Sequence, residues 1–204
     1  AEIFHTLKKV LHERGLAIDF DVLNHISRTS QSADRWDELD KRVAPVMLFW
    51  YRSSPQPLVP FSTSQRPTAW DPPPTVPGMT KAILDDDGLL VEFEAVPPFR
   101  DDPTAAPKPA PWPALFTAAG LDIGRFQPVE PTWVPRAYAT ERAAWQGPLP
   151  KAPDQALRVE AAAHRGMPVF FKVIGPSAPI QPATTSAAPA PRRFWRTLAD
   201  VVAM

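Results

Sequence analysis

Asp85, Asp86 and Asp87 stand in a row ahead of Gly88, and clustered carboxylates are what a hard cation such as calcium takes as ligands. The row lacks the alternate-residue spacing and the distal bidentate glutamate of a calcium loop, whereas Asp and Gly are what a hairpin turn selects. A turn without a metal is therefore the expectation. Glu92 and Glu94 share a face if their segment is a strand, and paired carboxylates can divide general acid and general base work; the plainer reading is a solvated sheet surface. His5 and His12 lie two helical turns apart, too far for a metal clamp at i, i+4. His25 and His164 complete the histidines, and His164-Arg165-Gly166 has no base in its third position. The chain has no G-x-S-x-G elbow, Gly-rich phosphate loop or H-E-x-x-H, and no Cys to act as thiol nucleophile or zinc ligand. No enzyme activity and no cofactor are expected from these residues.

The aromatic residues pose the more open question. Phe49, Trp50 and Tyr51 are consecutive, and Trp70, Trp112, Trp133 and Trp145 fall near prolines. Trp beside Pro can line a groove for an apolar molecule, a peptide or a sugar. Phe49, Tyr51, Trp70, Trp112 and Trp133 are the candidate ligand-binding set; the competing reading has each ring filling a small core.

The elements that would position these residues must fit a chain of 204 residues with 28 Pro and only 8 Gly. Proline fixes φ and lacks an N–H, so long uninterrupted helices are excluded and a loop-rich fold is expected. A hydrophobic content of 44% excludes wholly disordered and collagen-like classes. With 22 basic and 22 acidic residues there is no general basic field, so nucleic acid is not an expected partner. No apolar run reaches membrane-span length, which predicts a soluble segment.

Ile3, Phe4, Leu7, Val10 and Leu11 recur at helical spacing and predict an amphipathic helix stopped by Gly15. Val22, Leu23 and Ile26 suggest further helical turns, and a second helix is expected over 33–43, with Trp36, Leu39 and Val43 on one side. VMLFWYR reads as a buried strand. Prolines dominate 53–78 and favour extended chain. A hairpin follows, Met79–Leu84 and Leu89–Val96, with Val91, Phe93 and Ala95 on one side and the two glutamates on the other. Pro113 opens a helix that Gly120 closes. Thr140 reads as the cap of another over Glu141–Trp145, and 156–174 forms a second hairpin turning at His164-Arg165-Gly166.

The halves align at an offset of 78, which places Gly88 on Gly166, Val91 on Val169, Phe93 on Phe171 and Pro98 on Pro176. Upstream, Gly15-Leu16-Ala17-Ile18 matches Gly120-Leu121-Asp122-Ile123 at an offset of 105. The expected fold class is α+β: two tandem helix-plus-antiparallel-hairpin units with Pro-rich connections. The first unit spans 1–98 with an insertion, a linker spans 99–111, and the second unit spans 112–176. A Pro-rich linker over 177–191 leads to a basic amphipathic end at 192–204, from Arg192 onwards, which suits either a terminal helix or an approach to a membrane.

Four stretches carry a resemblance: VAPVMLFWYRSSPQPLVP, DPPPTVPGMTKAILDDDGLLVEFEAVPP, ALFTAAGLDIGRFQPVEPTWVPRAYATERAAWQG and RVEAAAHRGMPVFFKVIGP. They resemble the non-kinase segment of large membrane-bound bacterial serine/threonine protein kinases, over most of residues 44–176. The repeat is also loosely similar in architecture to PepSY-type domains. No kinase motif is present, so what the resemblance implies is context. That context is a non-catalytic extracytoplasmic sensor or ligand-binding domain, attached to the membrane through its flanks, whose partner is a small molecule, a peptide or its own parent chain, with a homodimer open to it. A structural or protein-interaction module is the alternative, and an unrecognised hydrolase using the Asp85–Asp87 turn, Glu92 or Glu94 is a further one.

Overall fold

The computed structural model describes residues 11–18, 47–63, 66–101, 104, 106, 108–150 and 152–175. The strands are β1 (Leu11–Ile18), β2 (Met47–Ser54), β3 (Thr80–Leu84), β4 (Leu90–Ala95), β5 (Gln127–Val129), β6 (Glu141–Leu149), β7 (Ala152–His164) and β8 (Met167–Ile174). All eight belong to one antiparallel sheet in the order β1-β2-β3-β4-β8-β7-β6-β5. Among the described residues there is one α-helix, α1 (Trp112–Ala118), and one 3-10 turn (Ile123–Arg125). The expected α+β pair of helix-and-hairpin units is thereby corrected: two four-stranded meanders share a single sheet. The predicted helix at 141–145 is a strand instead; of the one over 3–11, residues 3–10 lie outside the described residues and Leu11 opens β1. Those at 22–26 and 33–43, together with the 177–191 linker and the 192–204 end, lie outside the described residues.

Gly15 is no helix stop. It lies in β1 opposite Trp50, and a Cβ there would meet the Trp50 ring at 2.7 Å. Glycine is the residue that lets a large ring lie across the neighbouring strand. Glu141–Trp145 carries helix formers, but pairing with β7 from Glu141↔Ala163 to Trp145↔Val159 overrides that weak local preference.

Both hairpins form as expected and repeat one another in detail. In β3–β4, Lys81 lies opposite Glu94, Ala82 opposite Phe93 and Ile83 opposite Glu92. In β7–β8, Glu160 lies opposite Lys172, Ala161 opposite Phe171 and Ala162 opposite Phe170. The ladder then slips in each, between Ile83 and Leu84 and between Ala162 and Ala163, which leaves Val91 and Val169 as the extra residues of equivalent bulges. At the centre of the sheet β4 pairs with β8, with Phe93 opposite Phe171, Glu92 opposite Lys172 and Glu94 opposite Phe170. Phe93 and Phe171, which the offset of 78 relates, are thus direct partners, and a pseudo-two-fold axis runs between them. The upstream match at an offset of 105 fails, because Gly15 is in a strand and Gly120 follows α1 with φ +66°.

One face of the sheet carries the main core. Phe116 of α1 is fully buried, edge-on to Phe126 (5.3 Å), Trp145 (5.2 Å) and Phe171 (5.8 Å). Leu90, Leu157, Val159 and Ala161 close around it, with Ala82, Leu84 and Phe93 alongside. This is the helix face. The other, the loop face, is covered by two connections. Ala69 from the proline-rich segment packs with Leu48, Trp50 and Ile83, and Trp133, Ala137 and Ala139 pack on Ala162, Val169 and Phe170. The bulge turns Val91 onto this loop face beside Ile83 and Trp50, a correction to its expected place with Phe93.

Candidate functional site

Two features could do something other than hold the sheet together. The first is a row of charges crossing the loop face. Arg52 on β2 lies opposite Lys81 on β3, Lys81 opposite Glu94 on β4, and Glu92 opposite Lys172 on β8, which in turn faces Glu160 on β7. Arg52, Lys81, Glu92 and Glu160 are all buried. Lys81 Nζ donates to Glu92 Oε1 at 2.5 Å and lies 3.0 Å from Glu94 Oε2. Lys172 Nζ reaches Glu92 Oε2 at 2.9 Å and sits 5.1 Å from the centre of the Trp133 ring. Glu160 Oε1 accepts from Arg158 Nε at 2.8 Å and from the Thr132 hydroxyl at 2.8 Å. Arg52 donates to the carbonyls of Thr68 (3.0 Å) and Pro72 (2.5 Å), tying the proline-rich segment down.

These contacts decide what the two candidate carboxylates can do. Burial alone would raise the Glu92 pKa, and it is the largest single influence, but the charges of Lys172 and then Lys81, with their hydrogen bonds, together outweigh it and hold the carboxyl below its ordinary value of 4.5. A general acid at neutral pH needs the opposite shift. Glu92 and Glu94 are not a solvated surface: both are counter-ions of the buried Lys81, and Glu92 also of the half-buried Lys172. Asp85, Asp86 and Asp87 bring one oxygen each to within 4.8 Å of one another. Asp85 Oδ1 already accepts the Leu89 N–H at 2.7 Å, as a turn requires.

The second feature is apolar and open. Alternation along β2 sends Leu48, Trp50, Arg52 and Ser54 to the loop face, all buried, and Met47, Phe49 and Tyr51 to the helix face, all exposed. The strand expected to be buried is buried on one side only. On β1, Leu16 lies opposite Phe49 and Ile18 opposite Met47. Leu16 is 55% exposed, Phe49 46% and Tyr51 40%. Arg14 stands opposite Tyr51, and the His12 ring stacks on Tyr51 at 5.5 Å and hydrogen-bonds to its hydroxyl. At the other end Leu84, opposite Phe49, runs into the Asp85–Asp87 turn.

The five candidate aromatics are not gathered into one pocket. Phe49 and Tyr51 neighbour each other on the open helix face. Trp70 belongs to the proline-rich segment on the loop face and is 48% exposed. Trp112 packs edge-on against Trp145 at 5.8 Å in the core, and Trp133 stacks on Phe170 at 6.1 Å on the loop face. A small cleft among Pro74, Glu94, Val96, Arg136, Val169 and Phe170 contains none of the five. Leu16, Ile18 and Met47 complete the apolar patch and were missed, although the alternation Met47-Phe49-Tyr51 against Leu48-Trp50-Arg52 carried the signal. No helix among the described residues is long and apolar enough to cross a membrane. No family model, curated protein or solved structure matches the chain.

Proposed function

We propose that this chain is a non-catalytic input module of a membrane-bound bacterial serine/threonine kinase, held outside the cytoplasm, and that it works by contact through a sheet face. The kinase setting is supported by the four stretches of resemblance across most of residues 44–176. Contact is supported by the open apolar face of β1 and β2, where Leu16, Ile18, Met47, Phe49 and Tyr51 adjoin. Contiguous exposed apolar side chains of this extent mark interaction sites more often than idle surface. The scatter of the five aromatics favours this mode over capture of a small molecule in a concave pocket. A contact module transmits a state only if its partner binds one arrangement of the parent better than another.

The test uses the parent kinase in its membrane. Phe49→Asp places a charge in the centre of the patch without touching the main core, and autophosphorylation at equal expression is expected to change at least threefold. A kinase whose autophosphorylation is unmoved by Phe49→Asp and by Leu16→Asp would refute the contact reading. Gln127 is exposed and residues 1–204 hold no cysteine, so Gln127→Cys adds the one thiol of this segment, read against the unsubstituted parent. Its labelling by a membrane-impermeant maleimide in intact cells is expected, and protection until lysis would refute the extracytoplasmic placement.

A further inference from the structure

The pseudo-two-fold axis makes the two halves of the sheet comparable, and the comparison isolates one difference. In the second half the helix face is closed by α1, whose Phe116 fills the space over Trp145 and Phe171. In the first half, among the described residues, the same side of β1 and β2 leaves Leu16, Ile18, Met47, Phe49 and Tyr51 exposed. Five such side chains amount to roughly 450 Å² of apolar surface, within the range of the largest patch a soluble monomer ordinarily shows.

The charges around this patch are ordered. At one end of the strands stand Arg14 and His12, on the face of Tyr51. Toward the other end, Leu84, which faces Phe49 from β3, leads into the turn of Asp85, Asp86 and Asp87. A surface that is basic at one end, apolar in the middle and acidic at the other is complementary to itself after a half-turn. Self-complementarity is the requirement of an isologous two-fold interface.

We propose that the patch is the contact surface of a homodimer, in which the β1–β2 face of one chain stacks on the same face of a second copy. The two sheets then pack face to face, with Phe49 and Leu16 of each copy at the centre and Arg14 of one copy near the Asp85–Asp87 turn of the other. Pairing two patches buries on the order of 1,000 Å² of apolar surface, the lower bound for a specific interface. The dimer is accordingly concentration-dependent, with a dissociation constant on the order of micromolar to tens of micromolar. Inside a membrane-bound parent, the flanking anchors raise the effective concentration and favour this pairing. The inference rests on the reading of this face as the contact surface and names its occupant.

Sedimentation velocity on the full chain over about 1–300 µM tests it, and a monomer–dimer equilibrium is expected. Phe49→Asp is expected to weaken the dimer at least tenfold with the sheet intact by circular dichroism. Arg14→Asp is expected to weaken it about threefold to tenfold through like charges meeting across the interface, and Arg14→Asp combined with Asp86→Arg to restore it. A chain that stays monomeric throughout, or whose dimer ignores Phe49→Asp and the charge swap, overturns the proposal. Phe49→Cys, the only thiol in its variant, separates that failure from failure of the underlying reading. Rapid maleimide labelling of the monomer leaves the face open for a different protein and removes only the second copy. Protection of the thiol in the monomer shows the face covered by its own chain and removes both.

Discussion

Replacing Lys81 by Met tests whether the charges on the loop face are a connected unit or a set of idle ion pairs. The ammonium is 2% exposed and contacts both Glu92 Oε1 (2.5 Å) and Glu94 Oε2 (3.0 Å). Methionine nearly matches its volume, so packing is retained and the charge alone is lost. Glu92 keeps Lys172 at 2.9 Å, but Glu94, with its side chain 14% exposed, keeps only the more distant charge of Arg52. Removing one partner of a buried pair costs about 3–5 kcal/mol; because Glu92 retains a partner and Glu94 is near the surface, the lower end, about 3 kcal/mol, applies here. The additional change Glu94→Gln removes the stranded charge and is expected to return about 2 kcal/mol of that loss. Urea denaturation of the four proteins of this cycle at neutral pH measures both numbers through the midpoint at constant m. A Lys81→Met loss below about 1 kcal/mol, or a double variant no more stable than the single one, would refute the reasoning, since both mean that water already screens the pair.

Glu92 predicts a pH dependence. Its folded pKa lies below the ordinary carboxylate value, so its contribution to stability is fully present above the unfolded value of 4.5 and is lost as pH falls through the lower folded value. Lys172→Met removes the strongest of the lowering charges and should move this acid loss to higher pH, read from denaturation midpoints between about pH 3 and 7; an unshifted profile counts against the assignment. Phe116→Ala should cost about 3–5 kcal/mol, because Phe116 is the only buried side chain of α1 and meets three rings. Hydrogen exchange should show α1 released first, and a loss under about 2 kcal/mol would contradict that anchoring role. Gly88 and Gly166 both have positive φ, +77° and +86°, but a Cβ on Gly88 meets nothing within 4 Å while one on Gly166 would lie 2.1 Å from the Lys108 carbonyl oxygen. Gly88→Ala should therefore cost about 1 kcal/mol and Gly166→Ala at least twice that, measured side by side by thermal unfolding; equal losses would show that the linker does not bear on the second turn.

What could be read from the sequence was local. The β3–β4 and β7–β8 hairpins announce themselves because Asp-Gly and Arg-Gly turns sit between alternating apolar runs, and the offset of 78 exposed the repeat before any pairing was known. The rest depends on residues far apart in the chain. Gly15 resembles a helix terminator until Trp50, a residue of the next strand, is laid against it. Glu141-Arg142-Ala143-Ala144-Trp145 has the composition of a helix and becomes a strand because β7 supplies its ladder. Glu92 looks solvated until β8 brings Lys172 opposite it. Of the candidate site residues, Phe49 and Tyr51 lie on the exposed apolar face of β2, while Trp112 packs in the core and Trp133 on the loop face.

The repeat also shows where the two halves diverged. Equivalent hairpins, with bulges at the same step, place opposite charges at the same buried position, Lys81 in one and Glu160 in the other. Two copies of the first half would set Glu against Glu along the β4–β8 seam, and two copies of the second would set Phe against Lys. The inversion instead lets Glu92 meet Lys172 across it, so the central ladder is held by a pair that neither half could form with a copy of itself. That seam accounts for the loop face as structure. It leaves the helix face, where α1 seals one half and the strands of the other present Leu16, Phe49 and Tyr51, as the place where the halves differ in what they expose. Under the contact reading proposed above, Leu16, Phe49 and Tyr51 are therefore the positions where substitutions are expected to weaken association while leaving the fold intact, because their side chains lie outside the buried core of the described residues.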